Sequence, residues 1–181
     1  NLFDNNEAIW GKEYLMVLRN LASLYLYDDI KEVKSAINVY KKSLVKIEAL
    51  FEKDNDTWIK DYITNLKGLA HSYIEDDEDD DAIEQLKIAF KIINKRFYNY
   101  PKVWSTDYII ILENLISLYL ENYYIEEALP LVDEVINIKK ILLKQSPANW
   151  NQPYFNTLYK LAIFYKENDK FDYAIYLGKE A

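Results

Sequence analysis

Four tryptophans recur at a nearly constant interval, and this regularity constrains the fold of the 181-residue chain more than any other feature. They stand at Trp10, Trp58, Trp104 and Trp150, at steps of 48, 46 and 46 residues. A sequence period of roughly 20–50 residues is typical of repeat proteins, in which each unit buries its apolar face only by stacking on the next unit. We therefore expect about four stacked units of similar structure.

The residues that follow each tryptophan also repeat in the same order. A tyrosine comes four residues after the tryptophan, leucines come eight and eleven residues after it, and a second tyrosine comes fifteen residues after it. These intervals place the recurring side chains on one face of an α-helix. A second helical pattern starts close to a recurring alanine, at Ala36, Ala82, Ala128 and Ala174. Each unit is therefore predicted to consist of two antiparallel helices, A and B, joined by a short polar loop.

The predicted fold is an all-α, right-handed α-solenoid of about four helix pairs, the last of which is incomplete. The predicted A helices span 7–27, 57–75, 104–121 and 151–167. The predicted B helices span 33–53, 80–98, 125–145 and 171–181. The repeats are predicted at about 6–54, 55–100, 101–146 and 147–181, as one solenoid over residues 1–181. The last B helix stops without a polar capping helix. We therefore expect that this chain is a segment of a larger protein. The alternative is end-to-end self-association through the uncapped last repeat.

The charge balance and the lack of cysteine narrow the possible functions. The chain has 30 acidic and 22 basic residues, and its net charge of −8 argues against a nucleic-acid backbone or an anionic membrane as the main partner. Without cysteine it has no disulfide, no thiolate nucleophile and no cysteine-ligated zinc. The longest aliphatic stretch, near residues 108–112, is far too short to span a bilayer. We expect a cytoplasmic protein that holds no cofactor and no metal.

The recurring pattern resembles the tetratricopeptide repeat (TPR), whose signature places Leu, a small residue and Tyr on the first helix and Ala and Phe on the second. In unit two these positions are taken by Leu66, Leu69, Ala70, Tyr73, Ala82 and Leu86. In unit one they are taken by Leu18, Leu21, Ala22, Tyr25, Ala36 and Tyr40. The long period and the late prolines, Pro101 and Pro147, resemble the kinesin-light-chain-type branch of this family. The resemblance implies that the A helices line a concave groove, in which a protein or peptide lies in extended form.

The resemblance also implies which residues line the groove. The candidate binding residues are Arg19, Asn20, Ser23, Lys67, His71, Glu113, Asn114, Ser117, Tyr159 and Lys160. Asn20 and Asn114 each stand in a Leu-x-Asn-Leu frame, and an asparagine amide can donate to and accept from a peptide main chain at once. The alternative is that these amides bond to a neighbouring helix or to water. Gly68 and Lys160 interrupt the asparagine series in units two and four.

Two charge patterns have competing interpretations. Arg19 and Lys67 lie one unit apart on the same predicted face, with His71 one turn further on. Together these side chains could hold a ligand carboxylate; the alternative is that they are ordinary solvated charges.

The acidic run at residues 75–81 lacks the glycine of a calcium-binding loop. It either stabilises the positive N-terminus of the next helix or docks a basic partner. Because Asp79 replaces an apolar residue of the other units, we expect a frayed start of that helix.

No arrangement of residues typical of an active site is found in the sequence, so we expect no enzymatic activity. The leading hypothesis is a non-catalytic scaffold that binds a protein or peptide in the groove. The alternative is a regulatory module that senses a peptide for a signalling or effector protein. A hydrolase using Asp107 and Glu113 is disfavoured, because a spacing of six residues places the two carboxylates on different faces of one helix.

Overall fold

Eight α-helices account for nearly all of the chain that the computed structural model describes, which is residues 7–180 for the backbone and 10–180 for the side chains. The helices are α1 Glu7–Tyr25, α2 Val33–Lys53, α3 Asn55–Ile74, α4 Asp79–Asn99, α5 Pro101–Glu121, α6 Ile125–Gln145, α7 Pro147–Glu167 and α8 Phe171–Glu180. The odd-numbered helices are the predicted A helices and the even-numbered ones the predicted B helices. The prediction of an all-α fold is confirmed. Residue 6 of the first predicted repeat and residue 181 of the last lie outside the described residues.

The helices form two compact units, whose boundary lies between Leu118 and Tyr119 near the end of α5. In the first unit, α2 packs against both α1 and α3, and α3 packs against α4. In the second unit, α7 packs against both α6 and α8. Because only a few residues join consecutive helices, packed neighbours in the sequence are antiparallel. That the whole chain forms one solenoid stays a prediction.

The first A helix begins at Glu7 as predicted, whereas α3, α5 and α7 begin two to four residues earlier than predicted, each three residues before its tryptophan. Pro101 and Pro147 are the first residues of α5 and α7, whereas the predicted A helices began only at residues 104 and 151. Proline suits a helix start because it lacks an N–H, which would have no partner in the first turn. In α3, which has no such proline, the Asp54 carboxylate accepts from the Thr57 N–H at 3.2 Å. Hydrogen bonding to Thr57 lowers the pKa of Asp54.

The loop from each A helix to its B helix ends in the same way in all four repeats, although the first loop is longer than the others. Two residues before the B helix the chain takes a positive φ angle, at Lys31, Asp77, Tyr123 and Asp169. The next residue donates its N–H to the carbonyl of the recurring second tyrosine of the A helix, at 2.7–2.9 Å. This shared turn pairs the last carbonyls of the A helix and directs the chain back along it.

The acidic run belongs to the start of a regular helix. α4 begins at Asp79, the repeat position at which α2, α6 and α8 also begin, so the expectation of a frayed start is wrong. Asp79, Asp80 and Asp81 lie in the first turn of α4. Carboxylates there interact favourably with the unpaired N–H groups of the helix N-terminus. This charge interaction compensates for the apolar side chain that the other repeats have at this position.

Aromatic packing joins α3 to α2 and α5 to α4, in each case an A helix to the B helix before it. Tyr62 of α3 packs on Phe51 of α2, with ring centroids 5.0 Å apart. Tyr108 of α5 packs on Phe97 of α4 at 4.3 Å, with the two rings nearly parallel. Phe51 and Phe97 are 46 residues apart, as are the two tyrosines. The same pair of residue types is therefore in contact at successive repeat junctions, with the rings tilted by 54° at the first and parallel within 3° at the second.

The hydroxyl groups of these tyrosines also recur as hydrogen-bond donors. Tyr62 donates to Oε1 of Glu48 at 3.0 Å, and Tyr108 donates to Oδ1 of Asn94 at 2.9 Å. Glu48 and Asn94 occupy the same repeat position on α2 and α4. Burial raises the pKa of Tyr62, and the Glu48 carboxylate raises it further. Each junction thus combines an apolar contact with a polar contact that fixes the register of the two helices.

Candidate partner-binding surface

The A helices of the first unit are joined to one another by ion pairs that recur from repeat to repeat. The Arg19 guanidinium of α1 donates to the Asp61 carboxylate of α3 at 2.9 Å. One repeat later, the Lys67 ammonium of α3 donates to the Asp107 carboxylate of α5 at 2.6 Å. The two cations occupy equivalent repeat positions, and so do the two carboxylates. We call the line along which two A helices meet a seam, and each of these two seams carries one such pair.

This pairing changes the role of two candidate binding residues. Arg19 and Lys67 are predicted to hold a ligand carboxylate, but each already has a carboxylate partner within the chain. The reason is that the next A helix brings an aspartate to the seam at both steps of the first unit. The interpretation of Arg19 and Lys67 as an open anion site is therefore corrected, because the two cations position helices. His71 is exposed one turn beyond Lys67, and its side chain makes no hydrogen bond or ion pair within the described residues.

A cation–π contact lies near the N-terminal end of each seam. The Lys12 ammonium lies 5.9 Å from the ring centroid of Trp58, and the Lys60 ammonium lies 5.6 Å from that of Trp104. The two lysines are equivalent residues, and both tryptophans are buried. Such contacts contribute about 0.5–1 kcal/mol at exposed sites. Together with the ion pairs, they hold neighbouring A helices of the first unit in a fixed arrangement.

Beside the seams, each A helix of the first unit carries three positions at helical spacing, which form three rows across the repeats and include the candidates Asn20, Asn114, Ser23, His71 and Ser117. The first row is Met16, Thr64 and Ile110; the second is Asn20, Gly68 and Asn114; the third is Ser23, His71 and Ser117. All of these residues are exposed except Gly68, which is half-buried. None carries a charge when histidine is neutral. We call these nine residues the A-helix surface.

Asn20 and Asn114 keep their hydrogen-bonding capacity on this surface. Both side chains are exposed, and neither makes a hydrogen bond in the part of the chain that the structure describes. Bonding to a neighbouring helix, the competing interpretation of these two amides, is therefore not seen there. Two other candidates are less open, since Ser117 and the half-buried Glu113 each interact within the chain.

Gly68 interrupts the asparagine row for a steric reason. A Cβ atom added at Gly68 would lie 2.5 Å from the ring of Tyr40, which is buried on α2. The equivalent residues of the next two B helices are the smaller Leu86 and Val132. A large residue on α2 is thus matched by the loss of a side chain on α3. The main chain is fixed at the same place, because Asn65 Nδ2 donates to the Tyr40 carbonyl at 3.1 Å.

The remaining candidates belong to the second unit. Tyr159 and Lys160 are exposed on α7. On the buried side of the same helix, the Lys139 ammonium of α6 donates to Oγ1 of Thr157 at 2.7 Å and to the carbonyl of Pro153 at 3.2 Å. Lys139 is itself buried, so these oxygen partners compensate for the loss of water around its charge.

Two further features of the described residues bear on the possible function. Among the described side chains, those of residues 10–180, no cluster of three or more His, Cys, Asp or Glu could hold a metal ion. No helix in that range is long and apolar enough to cross a membrane. Asp107, which with Glu113 formed the disfavoured hydrolase hypothesis, is paired with Lys67 across a seam.

The contact between Gly68 and Tyr40 predicts that Gly68→Ala destabilises the parent chain but stabilises the Tyr40→Leu chain. Gly68→Ala should lower the free energy of unfolding by about 1 kcal/mol or more, because overpacking costs about 1–3 kcal/mol and the gain in helix propensity offsets only part of it. After Tyr40→Leu, which copies Leu86, the same Gly68→Ala change should stabilise the chain by up to ~1 kcal/mol. Urea denaturation of the four chains measures both effects.

Tyr40→Leu alone is the matched control, because it reports the loss of ring packing without any change at Gly68. The steric account would be contradicted if Gly68→Ala stabilised the parent chain by as much as it stabilises the Tyr40→Leu chain.

Comparison with known proteins identifies the fold. No protein-family model matches the chain, and no curated protein matches it. A crystal structure of nearly identical TPR-like repeats, assigned to a kinesin light chain of Podosopora anserina, is similar with a TM-score of 0.67 and 19% identity, over 92% of this chain and 72% of that chain. A variant of the same repeats covers 92% of each chain at 15% identity, with a TM-score of only 0.40. The first likeness, together with the eight described helices, shows that the chain has a TPR-like, all-α repeat fold.

Proposed function

We propose that this chain is a non-catalytic scaffold that binds a protein or peptide segment along the A-helix surface of its first unit. The observation that carries the proposal is the state of Asn20 and Asn114, which are exposed and make no hydrogen bond within the described residues. Helical repeat proteins commonly use an extended surface of this kind for recognition. A fold alone does not define a function, so the proposal depends on the chemistry of the surface.

The seams support this function by ordering the surface before a partner arrives. The Arg19–Asp61 and Lys67–Asp107 pairs link α1, α3 and α5 in turn. Binding to a pre-ordered surface costs less conformational entropy than binding to a mobile one. The same pairs neutralise the charged groups next to the surface, so charge there contributes little to the choice of partner.

The three rows favour an extended segment with uncharged side chains. Each asparagine amide can donate to a main-chain carbonyl and accept from a main-chain N–H, which requires no particular partner sequence. Met16 and Ile110 offer apolar contacts in the neighbouring row. If adjacent A helices are about 10 Å apart, Asn20 and Asn114 lie roughly 20 Å apart, which is the length of about six extended residues.

A double substitution tests the proposal. A peptide selected from a displayed random library against the 181-residue chain is titrated by calorimetry. Asn20→Ala with Asn114→Ala should raise its Kd by about tenfold to a hundredfold, because each lost hydrogen bond contributes about 1 kcal/mol.

The matched control is Asn38→Ala with Asn137→Ala, which removes two exposed asparagines from the B helices α2 and α6. The control should leave the Kd unchanged. A peptide that binds the Asn20→Ala, Asn114→Ala chain as tightly as the parent would contradict recognition by these amides.

Peptide sensing is the second candidate function. Asn114 lies one helical turn before the boundary between the two compact units, which falls after Leu118. A ligand held by Asn114 would therefore bind on α5, the helix whose last turn contains that boundary. Small-angle scattering at saturating peptide should then show a changed radius of gyration. An unchanged scattering curve, with binding confirmed by calorimetry, would contradict peptide sensing and leave the scaffold as the only proposed function.

A further inference from the structure

The B helices of the first unit concentrate positive charge in a chain that is acidic elsewhere. Residues 33–53, which form α2, and residues 83–99 of α4 contain nine of the 22 basic residues and three of the 30 acidic residues, a net charge of +6. The rest of the sequence contains 13 basic and 27 acidic residues, a net charge of −14. The basic residues are therefore gathered on two helices and are not spread evenly over the protein.

Most of these cations are exposed lysines. They are Lys34, Lys42, Lys46 and Lys53 on α2 and Lys87, Lys91 and Lys95 on α4, and we call these seven residues the basic face. The three lysines of α4 follow one another at intervals of four residues, which places them in a row with steps of about 6 Å along the helix. Lys34, Lys42, Lys91 and Lys95 make no hydrogen bond or ion pair within the described residues.

The two helices that carry the basic face lie side by side and run in the same direction. Both pack against α3. At the start of α4, a hydrogen bond to Tyr73 raises the pKa of Lys41 on α2, and the charges of Asp81 and Glu78 raise it further. At the end of α4, Arg96 donates to Oδ1 of Asn55 at 3.0 Å, two residues after α2 ends. The lysines of both helices therefore form one continuous surface.

Stacking of the repeats does not require lysine at these positions. In α6, the residues equivalent to Lys91 and Lys95 are Asn137 and Ile141, and those equivalent to Lys41 and Lys42 are Asp133 and Glu134. Exposed charges of this kind also contribute little to folding stability. The positive charge is thus a property of this surface of the first unit, and it is not needed for the repeat fold.

We propose that the basic face binds an acidic segment of a partner protein. Charge complementarity identifies the occupant, because an ammonium group on a flexible stem attracts carboxylates without fixing one geometry. Val45 is 69% exposed and lies one helical turn after Lys41 and Lys42. An apolar side chain among the Asp and Glu residues of the partner would contact it. This surface is separate from the A-helix surface, which carries no charge when histidine is neutral.

The acidic residues beside the basic face favour a narrow partner over a broad one. Asp79, Asp80 and Asp81 form the first turn of α4, about two turns before Lys87. A bilayer or a nucleic-acid duplex broad enough to cover the lysines would also approach these carboxylates, whereas a single acidic segment can follow the lysines alone. Arginine, the residue best suited to pair with phosphate, is present here only as Arg96, which is paired with Asp56.

Fluorescence anisotropy with labelled decaglutamate tests the proposal on the 181-residue chain. Ten extended residues span about 33 Å, which matches the rise of about 28 Å between Lys34 and Lys53 on α2. The parent chain should bind this peptide. Its Kd should rise about tenfold or more when the ionic strength is increased from about 0.01 M to about 0.15 M, because salt screens exposed charges.

A charge reversal locates the binding. Lys91→Glu with Lys95→Glu replaces two cations of the basic face that make no hydrogen bond or ion pair within the described residues, and it should raise the Kd for decaglutamate by about tenfold or more. The matched control is Lys144→Glu with Lys170→Glu, which changes two exposed lysines of the second unit. The control makes the same change in net charge and should leave the Kd nearly unchanged. Circular dichroism confirms that both variants are folded.

Three outcomes would overturn the proposal. The first is a parent chain that does not bind decaglutamate at the lower ionic strength. The second is an equal loss of binding in the variant and the control, which would assign the effect to net charge. The third is tighter binding of a DNA duplex or of phosphatidylserine vesicles than of decaglutamate under the same conditions. Lys91 and Lys95 lie outside the A-helix surface, so each outcome is distinguishable from a failure of the proposed peptide binding there.

Discussion

The packing of each A helix against the helix pair before it is the interaction on which the rest of this structure depends. At two successive junctions a tyrosine ring packs on a phenylalanine, and its hydroxyl donates to a side chain of the same B helix. The buried apolar area provides the driving force, at about 25 cal/mol per Å². The hydrogen bond from the hydroxyl fixes the register of the two helices, because a shifted helix would leave the phenol of a buried tyrosine without its partner.

Regular junctions bring the same residues together at every step, and this produces the candidate surface. Once α3 is placed against α2, Asp61 reaches Arg19 of α1; one repeat later, Asp107 reaches Lys67. Arg19 and Lys67 are paired with aspartates of the chain, whereas the exposed amides of Asn20 and Asn114 remain able to bind a partner. Partner binding in this account is a consequence of stacking, since the helices that carry the amides are held in place by neighbouring repeats.

The sequence was sufficient for the helix pairs, because tryptophan, tyrosine and leucine recur at helical spacing in every unit. It was misleading at the starts of α5 and α7, since Pro101 and Pro147 are equally compatible with the end of one helix and the first turn of the next. The ion pairs could not be anticipated from one helix, because Arg19 and Asp61 are 42 residues apart and meet only after two repeats stack. The match of Gly68 to Tyr40 also depends on side-chain volume across a junction, which periodicity does not report.

Site-specific photo-crosslinking to a bound peptide is the most direct test of the central claim, that recognition takes place on the A-helix surface of the first unit. A photoreactive residue is introduced in place of Thr64, in the middle of that surface on α3, and in place of Asn38 on the neighbouring B helix; both positions are exposed. The account predicts efficient crosslinking from position 64 and none above background from position 38. Crosslinking from position 38 alone would contradict it.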